Sequence, residues 1–127
     1  MIRILLADDQ SNVRRGLRMR LDLEPGIAVI GEAGDGERAI ELARELAPDV
    51  VLMDVEMPKL DGIAATERLQ QLVPGCSVVI LTIHDDAGTR ERARNAGAAA
   101  FVSKHQIDAK LMEAIRSARP GPEAQPG

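Results

Sequence analysis

Apolar residues along the chain fall into short runs, and longer amphipathic stretches separate them. At residues 50–53 and 78–81 the runs are continuously apolar, which is typical of strands covered on both faces. Between the runs, apolar residues recur at helical spacing, as at Val13, Leu17 and Leu21. Crossovers between parallel strands need helices, so the alternation predicts a single α/β domain with a parallel sheet. The predicted strands are residues 2–7, 27–33, 49–54, 77–83 and 99–104.

The stretch at residues 85–96 has the weakest apolar pattern between any two predicted strands. It offers only alanines for burial and carries Gly88 near its start. A helix with so few apolar anchors opens easily. We therefore predict a weakly anchored helix here, prone to shift or fray.

Both ends of the chain carry signals about organisation. The length of 127 residues fits one domain with a substantial core, and we assign residues 1–119 to it. Residues 120–127, rich in proline and glycine, predict a disordered tail or a truncated linker. The first nine residues are too short and too acidic for a signal peptide, and no apolar run approaches membrane-spanning length. We expect a cytoplasmic protein that does not contact a membrane.

Composition excludes several classes of ligand. Phe101 is the single aromatic residue and the formal net charge is −4, so the chain has little to stack on bases and little attraction for phosphate backbones. We expect no nucleic acid to bind through this segment. Cys76 is the single cysteine, which excludes an intramolecular disulfide and a cysteine-based zinc site.

Charged and polar side chains stand where the predicted strands end. Asp8 and Asp9 follow the first strand, Asp54 ends the third, Thr82 lies near the end of the fourth, and Lys104 ends the fifth. Open α/β sheets bind ligands outside the carboxyl ends of their strands, where the winding direction reverses. We therefore expect these side chains to form one charged pocket.

Three carboxylates in one pocket repel one another unless a cation joins them. Mg²⁺ is the expected ion, because it prefers a few carboxylates together with water and phosphate oxygens, and no Cys or His cluster favours zinc. Such an ion can neutralise charge on a transferred phosphoryl group. Asp54 is then the candidate nucleophile for an aspartyl phosphate, with Lys104 as a positive point charge and Thr82 as a hydroxyl donor.

These motifs together resemble the receiver (CheY-like) domain of bacterial two-component response regulators. The resemblance covers residues 2–119 and implies a flavodoxin-like (βα)5 domain, doubly wound, with strands in the order 2-1-3-4-5. It rests on four segments in the family's order: Leu5-Leu6-Ala7-Asp8-Asp9, Met53-Asp54-Val55-Glu56-Met57-Pro58 with Asp61-Gly62, Leu81-Thr82, and Phe101-Val102-Ser103-Lys104.

The resemblance also implies roles for individual residues. Asp54 would accept the phosphoryl group and, with Asp9, ligate Mg²⁺ directly. Asp8 would act on the metal mainly through water, and the backbone carbonyl of Glu56 would be a further ligand. Lys104 would pair with the phosphoryl oxygens, Thr82 would hydrogen-bond the modified aspartate, and Phe101 would change rotamer on activation.

Two phrases resemble the NarL/FixJ subgroup in particular, at residues 29–36 and 81–86. Members of that subgroup usually carry a LuxR-type helix-turn-helix DNA-binding domain after a linker, and these 127 residues contain none. The resemblance implies a phosphorylation-controlled switch of transcription, not an enzyme. The implied partners are a sensor histidine kinase and, after phosphorylation, a second copy of the chain.

Other functions stay open at this point. The sequence Asp54-Val55-Glu56 suggests an aspartyl-phosphate phosphohydrolase of the haloacid-dehalogenase type, although the nucleophile of that family normally follows the first strand and is paired with a second aspartate. A pseudo-receiver would bind partners without phosphorylation. A flavodoxin-like flavin protein lacks an obvious phosphate loop and ring-stacking aromatics here.

Simpler interpretations also exist for single residues. Asp8 could cap the helix that starts near Ser11, Lys104 could merely flank a strand, and Phe101 could simply fill the core. Thr82 could be an ordinary strand residue. The basic first helix, with Arg14, Arg15, Arg18 and Arg20, is by default a solvated face and alternatively a kinase-docking surface. His84 and Glu56, near the pocket mouth, could influence the phosphoryl lifetime.

Overall fold

A five-stranded parallel sheet forms the centre of the molecule. The computed structural model describes residues 1–118, and its strands lie in the order β2-β1-β3-β4-β5. The predicted fold class and strand order are confirmed, and the strands end within one residue of the predicted bounds. They are β1 (Ile2–Ala7), β2 (Ile27–Ala33), β3 (Val50–Met53), β4 (Ser77–Thr82) and β5 (Ala100–Ser103).

Helices cover both faces of the sheet. They are α1 (Ser11–Asp22), α2 (Gly36–Leu46), α3 (Gly62–Leu72), α4 (Ala87–Asn95) and α5 (Ile107–Ala118), with a short 3₁₀ turn at Lys104–Gln106 before α5. None of these helices is both long and apolar enough to cross a membrane. The predicted tail at residues 120–127 lies outside the described residues.

The alternation of side chains along each strand produces two separate cores. In β1, Leu5 packs with residues of α2, α3 and α4, whereas Ile4 and Leu6 pack with α1 and α5. Each of these three side chains is fully buried. The continuously apolar runs in the sequence are thus strands that contribute side chains to two cores at once.

Aspartates begin three of the helices on the same face. The side chains of Asp35, Asp61 and Asp86 each accept a hydrogen bond from the backbone N–H three residues later, at 2.8–2.9 Å. A carboxylate in this position satisfies a free N–H of the first helical turn and interacts favourably with the helix dipole. These caps fix where the chain leaves each strand-end loop.

Helix α4 is present, as the sequence predicts, and it is shorter than the other helices. From the sequence only alanines are expected to be buried there, but Thr89 is buried as well as Ala93, and its hydroxyl donates to the Asp86 carboxylate at 2.8 Å. By contrast, α5 buries the larger side chains of Leu111 and Ile115 completely. The weak anchoring of α4 stays a prediction.

We expect backbone amides of α4 to exchange with solvent faster than those of α5. Because α4 buries only small side chains, we expect its local opening to cost much less free energy than global unfolding. Hydrogen exchange followed by NMR measures both helices in one sample. Equal protection of the two helices would show that α4 is as firmly anchored as α5.

Candidate functional site

The carboxyl ends of β1 and β3 place two aspartates side by side. The Asp54 N–H continues the sheet ladder by donating to the Ala7 carbonyl at 2.9 Å, and the Asp8 N–H donates to the Ala33 carbonyl at 3.0 Å. Each aspartate is therefore fixed by a backbone bond to the neighbouring strand. The Asp54 carboxylate also accepts the N–H of Val55 at 2.8 Å.

Three carboxylates meet at this edge of the sheet. Oxygen atoms of Asp8, Asp9 and Asp54 all lie within 4.8 Å of one another. Asp8 is buried, Asp54 is partly buried, and Asp9 is exposed. The cluster thus combines one buried and one partly buried carboxylate with a third that is exposed to solvent.

The alternative interpretation of Asp8 as the cap of α1 is not what the structure shows. Its carboxylate accepts the N–H of Gln10, two residues on, at 2.9 Å. Gln10 occupies the cap position of α1, and no side chain caps that helix. The carboxylate of Asp8 instead faces the acid cluster and Lys104.

Lys104 supplies the positive charge of the site from the end of β5. Its ammonium nitrogen donates to Asp8 Oδ2 at 3.0 Å and lies 3.6 Å from Asp54 Oδ2. The side chain is mostly buried, so this charge is little screened by water. In this structure the amine binds Asp8 more closely than it approaches Asp54.

Burial has the largest effect on the Asp54 carboxyl group and raises its pKa above the ordinary value. The Lys104 ammonium opposes this rise, and the negative charge of Asp8 adds to it. The net pKa shift of Asp54 is upward. The Lys104 charge therefore does not fully offset the cost of burying the negative charge of ionised Asp54.

Thr82 ends β4, and Phe101 is the second residue of the neighbouring strand β5. Thr82 is fully buried, and its hydroxyl oxygen accepts the N–H of His84 at 3.2 Å. Phe101 is only partly buried, and the Arg90 guanidinium carbon lies 4.7 Å from its ring centroid. Phe101 thus packs against the core from its edge, while one face of its ring meets an exposed arginine.

A crevice of about 300 Å³ opens above the acids. Asp9, Asp54 and Lys104 line it together with Glu56 and His84. The Glu56 side chain is exposed and contacts the His84 ring, so it lies outside the carboxylate cluster. The role expected of Glu56 concerns its backbone carbonyl and stays a prediction.

Arg14 lies near the site, and the sequence pattern did not predict its contacts there. The basic helix predicted a solvated face, yet the Arg14 side chain is only 19% exposed. Its guanidinium donates to the Asp8 backbone carbonyl at 2.5 Å and to Glu32 at 3.0 Å. No spacing rule identifies this contact, because it depends on how α1 packs against β2.

Comparison with known families decides what this site belongs to. The profile described as "Response regulator receiver domain" matches residues 4–116, nearly the whole chain. The chain belongs to this family. The receiver domain is the phosphoacceptor module of two-component response regulators, so the predicted family and the predicted role as a receiver domain are confirmed.

Individual relatives agree with this assignment. The chain is 43% identical to the response regulator GacA of Pseudomonas aeruginosa over 117 residues, covering 91% of this chain and 54% of that protein. It is 41% identical to the transcriptional regulatory protein LiaR of Bacillus subtilis over 121 residues, covering 95% and 57%. This receiver domain thus spans little more than half the length of these relatives.

Solved structures give the same result. A two-component response regulator of the LuxR family from Aurantimonas sp. aligns with a TM-score of 0.87 at 34% identity, covering 98% of this chain and 92% of that one. The relatives are response regulators of the LuxR/NarL type, which confirms the predicted subgroup. The phosphohydrolase and pseudo-receiver alternatives are not favoured.

Family membership also bears on metal, partner and catalysis. Receiver domains bind Mg²⁺ at an acidic pocket, and Asp8, Asp9 and Asp54 form such a cluster here. Response regulators interact with histidine kinases. Their receiver domains are generally non-enzymatic signalling domains.

Proposed function

We propose that Asp54 of this receiver domain accepts a phosphoryl group from a sensor histidine kinase. The observation that carries the proposal is the convergence of three carboxylates within 4.8 Å of one another beside the Lys104 amine. The modified domain then changes conformation and controls transcription through a separate helix-turn-helix DNA-binding domain. The transcriptional regulators among the relatives support this output.

Mg²⁺ fits the donor set at this site. The three clustered side chains offer only carboxylate oxygens, which a hard cation prefers. Asp9 and Asp54 would ligate the ion directly, with the Glu56 backbone carbonyl as a further ligand and Asp8 acting through water. When bound, the ion supplies positive charge that neutralises the transferred phosphoryl group.

The transfer itself requires a free oxygen on Asp54. One carboxylate oxygen attacks phosphorus while the bond between phosphorus and the donor nitrogen of a phosphohistidine breaks. The donor leaves with the bonding electron pair, and an acyl phosphate remains on Asp54. Asp54 Oδ1 is held by the Val55 N–H, whereas Oδ2 faces Lys104, which can pair with the incoming phosphoryl oxygens.

The charge of the added phosphoryl group would favour the active conformation of the domain. A phosphoryl group brings nearly two negative charges and strong acceptor oxygens, to which Lys104 and the Thr82 hydroxyl would move. Phe101 would then turn inward, with α4 following. A shift from mostly inactive to mostly active needs about 5 kcal/mol. Two hydrogen bonds to a charged group, at about 1.5–3 kcal/mol each, are of that size.

The product of this chemistry is a conformational signal. The domain acts as a switch and not as a multiple-turnover enzyme, and two phosphorylated copies pair. With a net charge of −4 it does not bind DNA by itself. DNA would bind through an output domain elsewhere in the protein.

A small phosphodonor tests the proposal without knowledge of the kinase. We expect acetyl phosphate with Mg²⁺ to add one phosphoryl group to the protein, seen by intact-mass spectrometry, and EDTA to prevent it. Reduction with borohydride should convert the modified aspartate to homoserine, and peptide sequencing should place it at residue 54. A label at another residue, or none in Mg²⁺, would refute the proposal.

We also expect Arg90→Ala to shift Phe101 toward its inward position in the unmodified domain. The cation–π contact that it removes is worth about 0.5–1 kcal/mol at exposed sites, a factor of about 2–5 in population. Phe101 is the single phenylalanine, so selective ring labelling gives one NMR signal to follow. Arg44→Ala is the control, because Arg44 is an exposed arginine of α2 far from β5, and this change should leave the signal unchanged.

A further inference from the structure

Arg14 links the acid cluster to the second strand. Its Nη1 donates to the backbone carbonyl of Asp8 at 2.5 Å, and its Nε donates to Glu32 Oε1 at 3.0 Å. The guanidinium is planar, so these two bonds fix its orientation as well as its position. A lysine ammonium, as a point charge on a flexible stem, cannot reproduce both contacts in this geometry.

Glu32 is itself held firmly. It lies in β2 opposite Leu6 of β1, and its second oxygen accepts a hydrogen bond from Arg18 at 2.6 Å. The contacts with Arg18 and Arg14 lower the pKa of Glu32, so it is ionised at neutral pH. Arg14 therefore has a fixed, charged support on the sheet.

Asp8 and Asp9 depend on this support to different extents. Asp8 has other bonds, since its N–H donates to Ala33 and its carboxylate accepts bonds from Gln10 and Lys104. The Asp9 carboxylate accepts no hydrogen bond within residues 1–118 and is exposed. Its direction follows from the peptide plane between Asp8 and Asp9, whose carbonyl is the group that Arg14 holds.

We propose that Arg14 is a positioning residue that, supported by Glu32, fixes the Asp8–Asp9 peptide and so presents Asp9 to Mg²⁺. The proposal rests on the proposed function, because it assigns the acid cluster to a metal. Groups that orient metal ligands from behind typically affect metal affinity about 10–100-fold when removed. Arg14 acts through Asp8 and Asp9 and does not itself touch the metal.

The sign of the effect separates positioning from electrostatics. Arg14 carries a positive charge near the acids, so its charge alone opposes binding of a second cation. Replacing it by a neutral residue should tighten Mg²⁺ binding if charge is all that matters. Loss of positioning has the opposite effect and weakens binding.

Isothermal titration calorimetry with MgCl₂ on the metal-free protein provides the test. We expect Arg14→Gln to raise the Kd for Mg²⁺ about tenfold or more. Arg14→Lys keeps the positive charge but loses the planar guanidinium that makes both hydrogen bonds, so it should also weaken Mg²⁺ binding. Arg15→Gln is the matched control: this neighbour on α1 is exposed, and losing its charge should leave the Kd equal or slightly lower.

Each outcome has a distinct meaning. Binding by Arg14→Gln as tight as, or tighter than, binding by the wild type would overturn the positioning role and leave the proposed function intact. Absence of Mg²⁺ binding by the wild type would overturn both. Urea unfolding gives the fraction of Arg14→Gln that is folded. If the loss of Mg²⁺ binding by this variant is explained by its unfolded fraction alone, the positioning role is also overturned. In metal-free spectra, the Asp9 amide signal should move in Arg14→Lys and stay in place in Arg15→Gln.

Discussion

Replacing Gly62 by alanine is expected to destabilise this receiver domain by about 3 kcal/mol, the upper end of the usual cost of overpacking. A β-carbon at residue 62 would stand 1.8 Å from the backbone oxygen of Asp54 and 2.9 Å from Met53 Cγ. The obstacle is mainly backbone, so it cannot move aside as a flexible side chain would. With total stabilities of about 5–15 kcal/mol, such a loss is severe.

Urea unfolding of Gly62→Ala and Gly16→Ala measures the effect against a matched control. Gly16 lies inside α1 with nothing within 4 Å of an added β-carbon. Alanine there should stabilise the protein by about 0.5–1 kcal/mol, through its higher helix propensity. Equal stability of the two variants would mean that the loop carrying Asp54 tolerates displacement.

Replacing Asp54 by asparagine should abolish Mg²⁺-dependent labelling by acetyl phosphate. An amide is no nucleophile for phosphorus under these conditions, so we expect no detectable phosphoprotein on a Phos-tag gel. Asp61→Asn is the matched control, because Asp61 is exposed and asparagine caps a helix as well as aspartate does. Equal labelling of wild type and Asp54→Asn would remove Asp54 from its role.

Asp54→Asn should also be more stable than the wild type in EDTA at neutral pH. The expected gain in the free energy of unfolding is about 0.5–2 kcal/mol, the usual size for a substitution that relieves unfavourable charge. Folding raises the pKa of Asp54 above its ordinary 3.8, so the native state favours the protonated carboxyl. The stability that this group contributes is present at low pH and is lost as pH rises through the raised pKa. The difference between variant and wild type should therefore vanish below about pH 3.8 and grow above it. A difference independent of pH would contradict this account.

Much of the fold could be predicted because its signals are local. Continuous apolar runs identified β3 and β4, and their ends located Asp54 and Thr82 to within a residue. The rule that parallel strands end at one edge then placed the three acids and Lys104 together. The strand order came from the family resemblance, because periodicity alone does not say which strands are neighbours.

The contacts between helices and strands could not be predicted in the same way. Arg14 looked like any other exposed arginine of α1, and only its packing against β2 shows that it bonds Asp8 and Glu32. Arg90 over Phe101 and Glu56 beside His84 are likewise products of side-chain geometry between distant residues. Such contacts leave no periodic trace in a single sequence.

The contact of Lys104 with Asp8 has a consequence for background output. In this structure the amine donates to Asp8 at 3.0 Å, so its proposed move toward a phosphoryl group on Asp54 would require this pair to separate. Thermal fluctuation alone does not supply the replacement anion. Under the proposed function, this pair would keep the output of the unmodified domain low, and the Asp8 carboxylate would bind the lysine again once the acyl phosphate had been hydrolysed.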